Sequence, residues 1–258
     1  MRRALQRPSR APRAFVDGSQ SLAAAIRRRL EMSGRCELRD RIDGPLDVMV
    51  ICDDGEPADA LAARVRAVAL SAARACPTTA FVLAADHGLS LCLEAARASG
   101  VPPWLVLATG AMPRAAAEAA RLAARLGVAP GQVSIPVIGG DSSGPHAGQV
   151  PLTRYANAAG IPARALQAGR EEELKATGRS GGSSAAALAA AGASLALAVL
   201  GDSRRVACCG GWTEGFFGLP GGFVSLPFPV GARGVEDPLP LRLTLDERAL
   251  LQRVAARW

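Results

Sequence analysis

The chain has 258 residues, a net charge of +7 and a hydrophobic fraction of 49%. This length is enough for one large α/β domain or two small ones, and the apolar content is sufficient for a buried core. No stretch reaches the ~20 uninterrupted apolar residues that a membrane-spanning helix requires, so we expect no membrane association. Aromatic residues make up only 4% of the chain, which argues against a basic nucleic-acid surface interleaved with aromatics.

The cysteine pattern bears on metal binding and on the cellular compartment. The six cysteines include no CxxC pair, and the two histidines are His87 and His146. This pattern does not predict a zinc site. No apolar signal-peptide core follows the N-terminal arginines, so we expect a cytoplasmic protein whose cysteines are free thiols, mostly buried.

Part of the positive charge is concentrated at the N-terminus. The first thirteen residues carry five arginines and no acidic residue. We interpret residues 1–13 as a basic, disordered tail. The alternative is a tail that binds nucleic acid or another acidic surface, although the rest of the chain has no basic stripe to support it.

Strands alternate with helices through the first half of the chain. Apolar runs predict strands at 14–16, 46–52, 79–85 and 104–108, and helical patterns occur at 22–30, 58–74, 89–98 and 113–126. This alternation predicts a Rossmann-like parallel sheet with helices on both faces, over residues 14–132. Residues 133–258 form a predicted α+β domain with strands at 133–138, 204–209 and 222–230, an alanine-rich helix at 183–200 and a last helix opening at 244.

Several stretches of the second half resemble one family. The sequences VIGG (137–140) and VPLTRYANAAGIP (150–162) resemble the segments that flank the catalytic histidine of NAD-dependent malate/lactate dehydrogenases. EGFFG (214–218), the strand at 223–231 and LTLDER (243–248) resemble the later family motifs in the same order. The resemblance implies a trimmed Rossmann-like sheet followed by the family's α+β C-terminal domain. It also implies NAD as cofactor and hydride transfer between a small 2-hydroxy acid and a 2-oxo acid.

The resemblance assigns cofactor positions that differ from the family pattern. The phosphate-binding turn reads DGSQSL (17–22), in which Gly18 is the single glycine and Asp17 adds negative charge. Asp40 stands near the place of the acid that binds the ribose, and Asp86 replaces a cofactor-facing asparagine. Because residues 36–43 run almost directly into the next strand, we expect the sheet to lack one strand-and-helix segment.

The substrate and catalytic positions also differ. The family's mobile loop with two arginines reads DDGEPAD (53–59), which is short and acidic. Arg114 and Ala117 stand where the family has the aspartate that orients the histidine and the arginine that binds the substrate carboxylate. Asp141 occupies the catalytic histidine's place in a longer loop, and His146 lies further along the same loop.

These replacements leave several interpretations open. His146 is either a displaced catalytic histidine or a surface-loop histidine, and Arg114 with Asp141 is a candidate reversed ion pair. His87, at a predicted strand end, is interpreted as a loop histidine that caps the next helix, with ligand binding as the alternative. The adjacent acids 53–54 are interpreted as solvated, with a bound cation as the alternative.

Three functions are consistent with these sequence features. The first is a family member with degenerate cofactor and catalytic sites, acting as a non-catalytic assembly or regulatory subunit. Its expected partners are a second copy or an active paralogue, contacted through helices 22–30 and 183–200. The alternative is an NAD-dependent, malate dehydrogenase-like oxidoreductase. The third, a nucleic-acid-binding or scaffold-binding protein, depends on the N-terminal arginines alone.

Overall fold

The computed structural model describes residues 10–18, 20–144, 146–162 and 183–256. Its helices are α1 (Ser21–Ser33), α2 (Ala58–Ala75), α3 (Gly88–Ser99), α4 (Met112–Leu126), α5 (Ala185–Leu200) and α6 (Leu245–Ala255). The strands of the first half are β1 (Arg13–Asp17), β2 (Glu37–Arg39), β3 (Val48–Cys52), β4 (Ala80–Ala84) and β5 (Val106–Ala108), and the two long strands of the second half are β11 (Arg205–Thr213) and β12 (Gly222–Gly231). The short strands between them and after them are β6 (Val133–Ser134), β7 (Val137–Gly139), β8 (Gln149–Pro151), β9 (Asn157–Ala158), β10 (Ile161–Pro162) and β13 (Gly234–Val235).

The main sheet joins both halves of the chain. Its order is β2-β1-β3-β4-β5-β11-β12-β7-β8, with β13 paired to β12. The first five strands are parallel, and the strands from β11 onward pair antiparallel. The three short strands β10-β9-β6 form a separate sheet. These features confirm the predicted fold class, while the division at residue 132/133 stays a prediction.

Connection directions decide which face each helix covers. The chain leaves β1 toward β2 in one direction, and it leaves β3 toward β4 in the other. Since crossovers between parallel strands are right-handed, α1 and α2 lie on opposite faces. α1 packs against α5, and α2 packs against α3.

The apolar sequence of helix α5 is explained by its burial. Ten of its sixteen residues are buried, and it packs on α1, β3, β4 and β12. Its small side chains let α5 approach the sheet of its own chain closely. The expected contact of this helix with a second subunit stays a prediction.

Most predicted elements agree with the structure within a few residues, with two local corrections. The strand predicted at 133–138 is two strands in different sheets, β6 and β7, because Pro136 interrupts the pairing and has no backbone N–H to donate. The chain is ordered before residue 14, since Arg10 pairs with Asp47 at 2.8 Å and Arg13 begins β1. Residues 1–9 of the predicted tail and the charged stretch 171–175 lie outside the described residues.

The thiol prediction is confirmed in part. All six cysteines are free, but Cys52, Cys92 and Cys209 are buried whereas the other three are partly exposed. Within the described ranges, no helix is both long and apolar enough to cross a membrane. In the same residues, no group of three or more His, Cys, Asp or Glu side chains could hold a metal ion.

Candidate functional site: a crevice and an adjoining polar cavity

The paired strands β1 and β3 have neighbouring carboxyl ends, and we call the space beside these ends the crevice. The chain leaves these two neighbouring strands in opposite directions, so their carboxyl ends form the switch point at which α/β sheets bind ligands. Strand β1 ends at Asp17 and is followed by Gly18, and β3 ends at Cys52 and is followed by Asp53 and Asp54. This is where the resemblance places the dinucleotide pyrophosphate.

Arg64, from the second turn of α2, reaches into this crevice. Its Nη2 donates to the backbone carbonyl of Cys52 at 2.6 Å, and its Nε lies 3.1 Å from the Glu56 carboxylate. Its Nη1 pairs with Asp17, and its Nη2 lies 4.0 Å from Asp54. We call Arg64, Asp17, Asp54 and Glu56 the Arg64 cluster. Three carboxylates thus surround one guanidinium, which leaves the crevice negative.

Gly18 keeps the conformation that a phosphate-binding turn needs, but a side chain fills the space beside it. Its φ is +132°, and a Cβ on it would lie 3.1 Å from the Asp54 carboxylate and 3.0 Å from the Ala23 Cβ. In a dinucleotide site that space lets phosphate approach the backbone. Here the nearest oxygen belongs to an acid, so the residues present do not fit a pyrophosphate.

The two other cofactor positions have different outcomes. Asp40 directly follows β2 and is exposed, as an acid that binds ribose hydroxyls would be. Asp86 follows β4, and its carboxylate accepts hydrogen bonds from Ser142 Oγ at 2.9 Å and from the Ser183 backbone N–H at 2.9 Å. Asp86 therefore holds the loop at 142 and the start of α5 together.

The Asp141 side chain caps a helix. It is 1% exposed, and its Oδ1 accepts a hydrogen bond from the Leu89 backbone N–H at 3.0 Å, at the first turn of α3. Burial raises the pKa of Asp141 to about 8, although backbone N–H groups of Leu89 and Ser90 act to lower it. Among the described residues, its Oδ2 has no hydrogen-bond partner. Asp141 thus supplies from a distant loop the N-terminal cap that α3 lacks locally.

Arg114 does not pair with Asp141, so the predicted reversed ion pair was wrong. Arg114 Nη1 donates to the Gln149 carbonyl at 3.0 Å, and its Nε lies 3.6 Å from the buried carboxylate of Glu118, one turn further along α4. Each charge has a nearer partner, namely Glu118 for the guanidinium and the N-terminus of α3 for the carboxylate. Arg114 and Asp141 nevertheless line one cavity of about 470 Å³, together with Ser142, Ser143, Ala147, Gly148 and Gln149.

His146 is not the residue of an exposed loop, whereas His87 lies at the start of a helix as expected. His146 is 7% exposed rather than a surface residue, and its carbonyl accepts from the Asp141 N–H at 2.9 Å. His87 is the N-cap residue of α3, as interpreted, but its side chain makes no capping hydrogen bond, and Asp141 Oδ1 accepts from the Leu89 N–H instead. Its Nδ1 lies 4.0 Å from Asp53. Ala117, to which the resemblance gives the place of the substrate-binding arginine, is exposed on α4 and does not line the cavity.

Sequence reasoning missed Arg64, Glu118 and Gln149. Glu118 had a usable signal, since Arg114 and Glu118 are four residues apart on one predicted helix. Arg64 and Gln149 had none, because their contacts join segments that are far apart in the chain.

Comparison with known proteins decides the family. A family model described as the lactate/malate dehydrogenase α/β C-terminal domain matches residues 114–257, which is more than half of the chain. The chain belongs to the lactate/malate dehydrogenase family. A malate dehydrogenase of Thermomicrobium roseum is 32% identical over 201 residues, covering 74% of this chain and 64% of that protein. Malate dehydrogenase 1 of Anaeromyxobacter dehalogenans is 38% identical over 138 residues, covering 49% and 43%.

Solved structures of lactate/malate dehydrogenases share the fold. The malate dehydrogenase of Salinibacter ruber superposes with a TM-score of 0.77 at 23% identity, covering 95% of this chain and 94% of that one. The lactate dehydrogenase of Eimeria maxima, solved with NADH and oxamate, has a TM-score of 0.80 at 17% identity, covering 98% and 95%. In sequence, the chain spans less than two thirds of the length of the Thermomicrobium and Anaeromyxobacter relatives.

Proposed function

We propose that this family member does not carry out the family's hydride transfer and serves instead as an assembly or regulatory subunit. The observation that supports this most strongly is the Arg64 cluster, which puts three carboxylates where a dinucleotide's phosphates would lie. Negative groups at that distance repel a phosphate rather than bind it. A cytoplasmic location is part of the proposal and is supported by the six free thiols.

The catalytic positions support the same proposal. Hydride transfer to a 2-oxo acid needs a proton donor beside the substrate and a cation that binds the carboxylate. Asp141 is buried against α3, and Arg114 is directed to Glu118 and the Gln149 carbonyl. Asp141 is therefore not placed to donate a proton to a substrate, and Arg114 is not placed to bind a substrate carboxylate.

The second candidate is the family's own reaction, an NAD-dependent interconversion of a small 2-hydroxy acid and a 2-oxo acid. The relatives favour this candidate over the first, because the Thermomicrobium and Anaeromyxobacter proteins are both called malate dehydrogenases. His146 is the residue through which it would operate, since it lies in the loop after β7 beside Asp141. The two candidates differ in whether the purified protein oxidises NADH with a 2-oxo acid.

Turnover with NADH and either oxaloacetate or pyruvate separates the two candidates. General acid–base catalysis contributes about 10²- to 10⁴-fold and charge stabilisation often more, so loss of both should leave NADH oxidation at background. The double variant Arg114→Asp/Asp141→His should stay inactive as well, because Ala117 provides no carboxylate partner. Steady oxidation that scales with protein and disappears in His146→Ala would establish the dehydrogenase instead.

The partner remains part of this proposal. Helix α1, which the family resemblance assigns to subunit contacts, exposes 77% of Met32, and such a side chain is available to a second subunit. Helix α5 offers a second subunit less surface, because ten of its sixteen residues are buried in its own chain. Sedimentation at micromolar concentration tests the point, and a clean monomer would remove the homodimer.

A further inference from the structure

The Arg64 cluster adds ionic contacts to two strand ends that backbone pairing already joins. The two strands are already paired in parallel, with Asp17 opposite Ile51 in the register of β1 and β3. Beyond that pairing, Arg64 brings together carboxylates from the end of β1, from the turn after β3 and from the loop before α2. The side chains involved are between 16% and 24% exposed, so the cluster sits in the mouth of the crevice rather than in the core.

Asp54 places one carboxylate of the cluster beside Gly18. Its Oδ1 lies 3.1 Å from where a Gly18 Cβ would be, which is the space that a glycine at this turn leaves for a phosphate oxygen. Helix α1 begins at Ser21, and its N-cap residue Gln20 makes no side-chain cap. The internal carboxylate therefore lies near the N-terminus of the helix that would otherwise face a bound anion.

The negative charges of the cluster also affect the buried Cys52 at the end of β3. Burial, followed by the negative charges of Asp54 and Asp17, raises the pKa of the Cys52 thiol to about 12. Arg64 and Arg27 act in the opposite direction without cancelling that effect. A phosphate that entered this space would be repelled by the same negative charges.

We propose that Asp54, Asp17 and Glu56, held by Arg64, form an internal plug that occupies the phosphate cradle beside Gly18. The carboxylates take the place on the guanidinium and beside the glycine that phosphate oxygens would otherwise take. The plug excludes dinucleotide phosphates by charge and by volume. It rests on the proposed loss of cofactor use and gives that loss a specific cause. Neutralising the plug should therefore reopen the cradle to a phosphate, with Arg64 as its new partner.

The test uses thermal unfolding of the full chain with and without millimolar inorganic pyrophosphate. Asp17→Asn/Asp54→Asn/Glu56→Gln keeps the side-chain shapes and frees Arg64. A ligand that binds the folded state raises the unfolding temperature, so this variant should gain about 2 °C or more with pyrophosphate whereas the wild-type chain gains nothing. Adding Arg64→Gln to the triple variant should abolish the gain.

Two further variants keep the test decisive. Asp59→Asn changes an exposed acid at the start of α2 outside the cluster. It is the matched control for Asp54→Asn, because each removes one negative charge, and it should behave like the wild-type chain. Asp54→Asn alone leaves Asp17 and Glu56 on Arg64, so it should fold even if the triple variant does not, and it should show a smaller gain.

Two outcomes would overturn the plug. The first is a wild-type chain that pyrophosphate already stabilises, and the second is folded plug variants that do not respond. Either result without wild-type turnover removes the plug and leaves the proposed function standing. Wild-type turnover of NADH would instead overturn the proposed function itself.

Discussion

At the scale of single residues, Asp141 makes a structural contact at the position that the resemblance gives to the catalytic histidine. Its Oδ1 caps α3, and the residue is only 1% exposed. A carboxyl group in that environment favours its protonated form, because burial disfavours the charge more than the N–H groups of the helix stabilise it. Asp141 therefore links folding to pH rather than to substrate chemistry.

Asp141→Asn tests this link through stability. Folding raises the pKa of Asp141 from 3.8 to about 8, so the wild-type chain is relatively most stable below about pH 4 and loses that contribution as pH rises toward 8. The neutral variant lacks this loss, so the difference in unfolding free energy should shift in its favour by at most about 1.4 kcal/mol per pH unit. Urea unfolding of both proteins across this range measures it. Parallel pH curves would show that Asp141 ionises normally.

At the scale of elements, sequence reasoning placed most strands and helices, because apolar runs and caps are local signals. Thr244 and Glu247, for example, form a capping box at the start of α6, where the last helix was predicted to open. The parallel part of the sheet ends at β2, and the expected loss of one strand-and-helix segment stays a prediction. Sequence reasoning did not predict the partners of Arg114 and Asp141, because Glu118, Gln149 and Leu89 reach them through tertiary packing.

The loop that carries Asp141 depends on close backbone packing at Gly140. A Cβ at Gly140 would overlap the carbonyl oxygen of His146, the same oxygen that accepts from the Asp141 N–H. Gly140→Ala should therefore destabilise the chain by about 2 to 3 kcal/mol, as other overpacked sites do. Gly131→Ala is the matched control, since no atom of the described residues lies within 4 Å of its Cβ position. Equal unfolding midpoints in urea for the two variants would contradict this close packing at Gly140.

At the scale of the whole molecule, the chain keeps the family architecture but has different side chains at the candidate cofactor and substrate positions. The sheet, its switch point and the strands of the C-terminal half are present, and two solved dehydrogenases superpose over 95% or more of the chain. The crevice at the switch point instead contains the Arg64 cluster, and the neighbouring cavity contains a buried aspartate and an arginine already paired with Glu118. Shared fold therefore does not by itself transfer the family reaction to this chain.

Cofactor binding by the wild-type chain is the most direct test of whether the crevice is closed to dinucleotides. Purified protein is titrated into NADH, and the nicotinamide fluorescence is followed for the change that accompanies transfer from water into a protein crevice. We predict no saturable change up to millimolar NADH, because three carboxylates face the phosphates and Gly18 is the single glycine left of the turn. Saturable binding at micromolar NADH, displaced by NAD, would contradict the closed crevice.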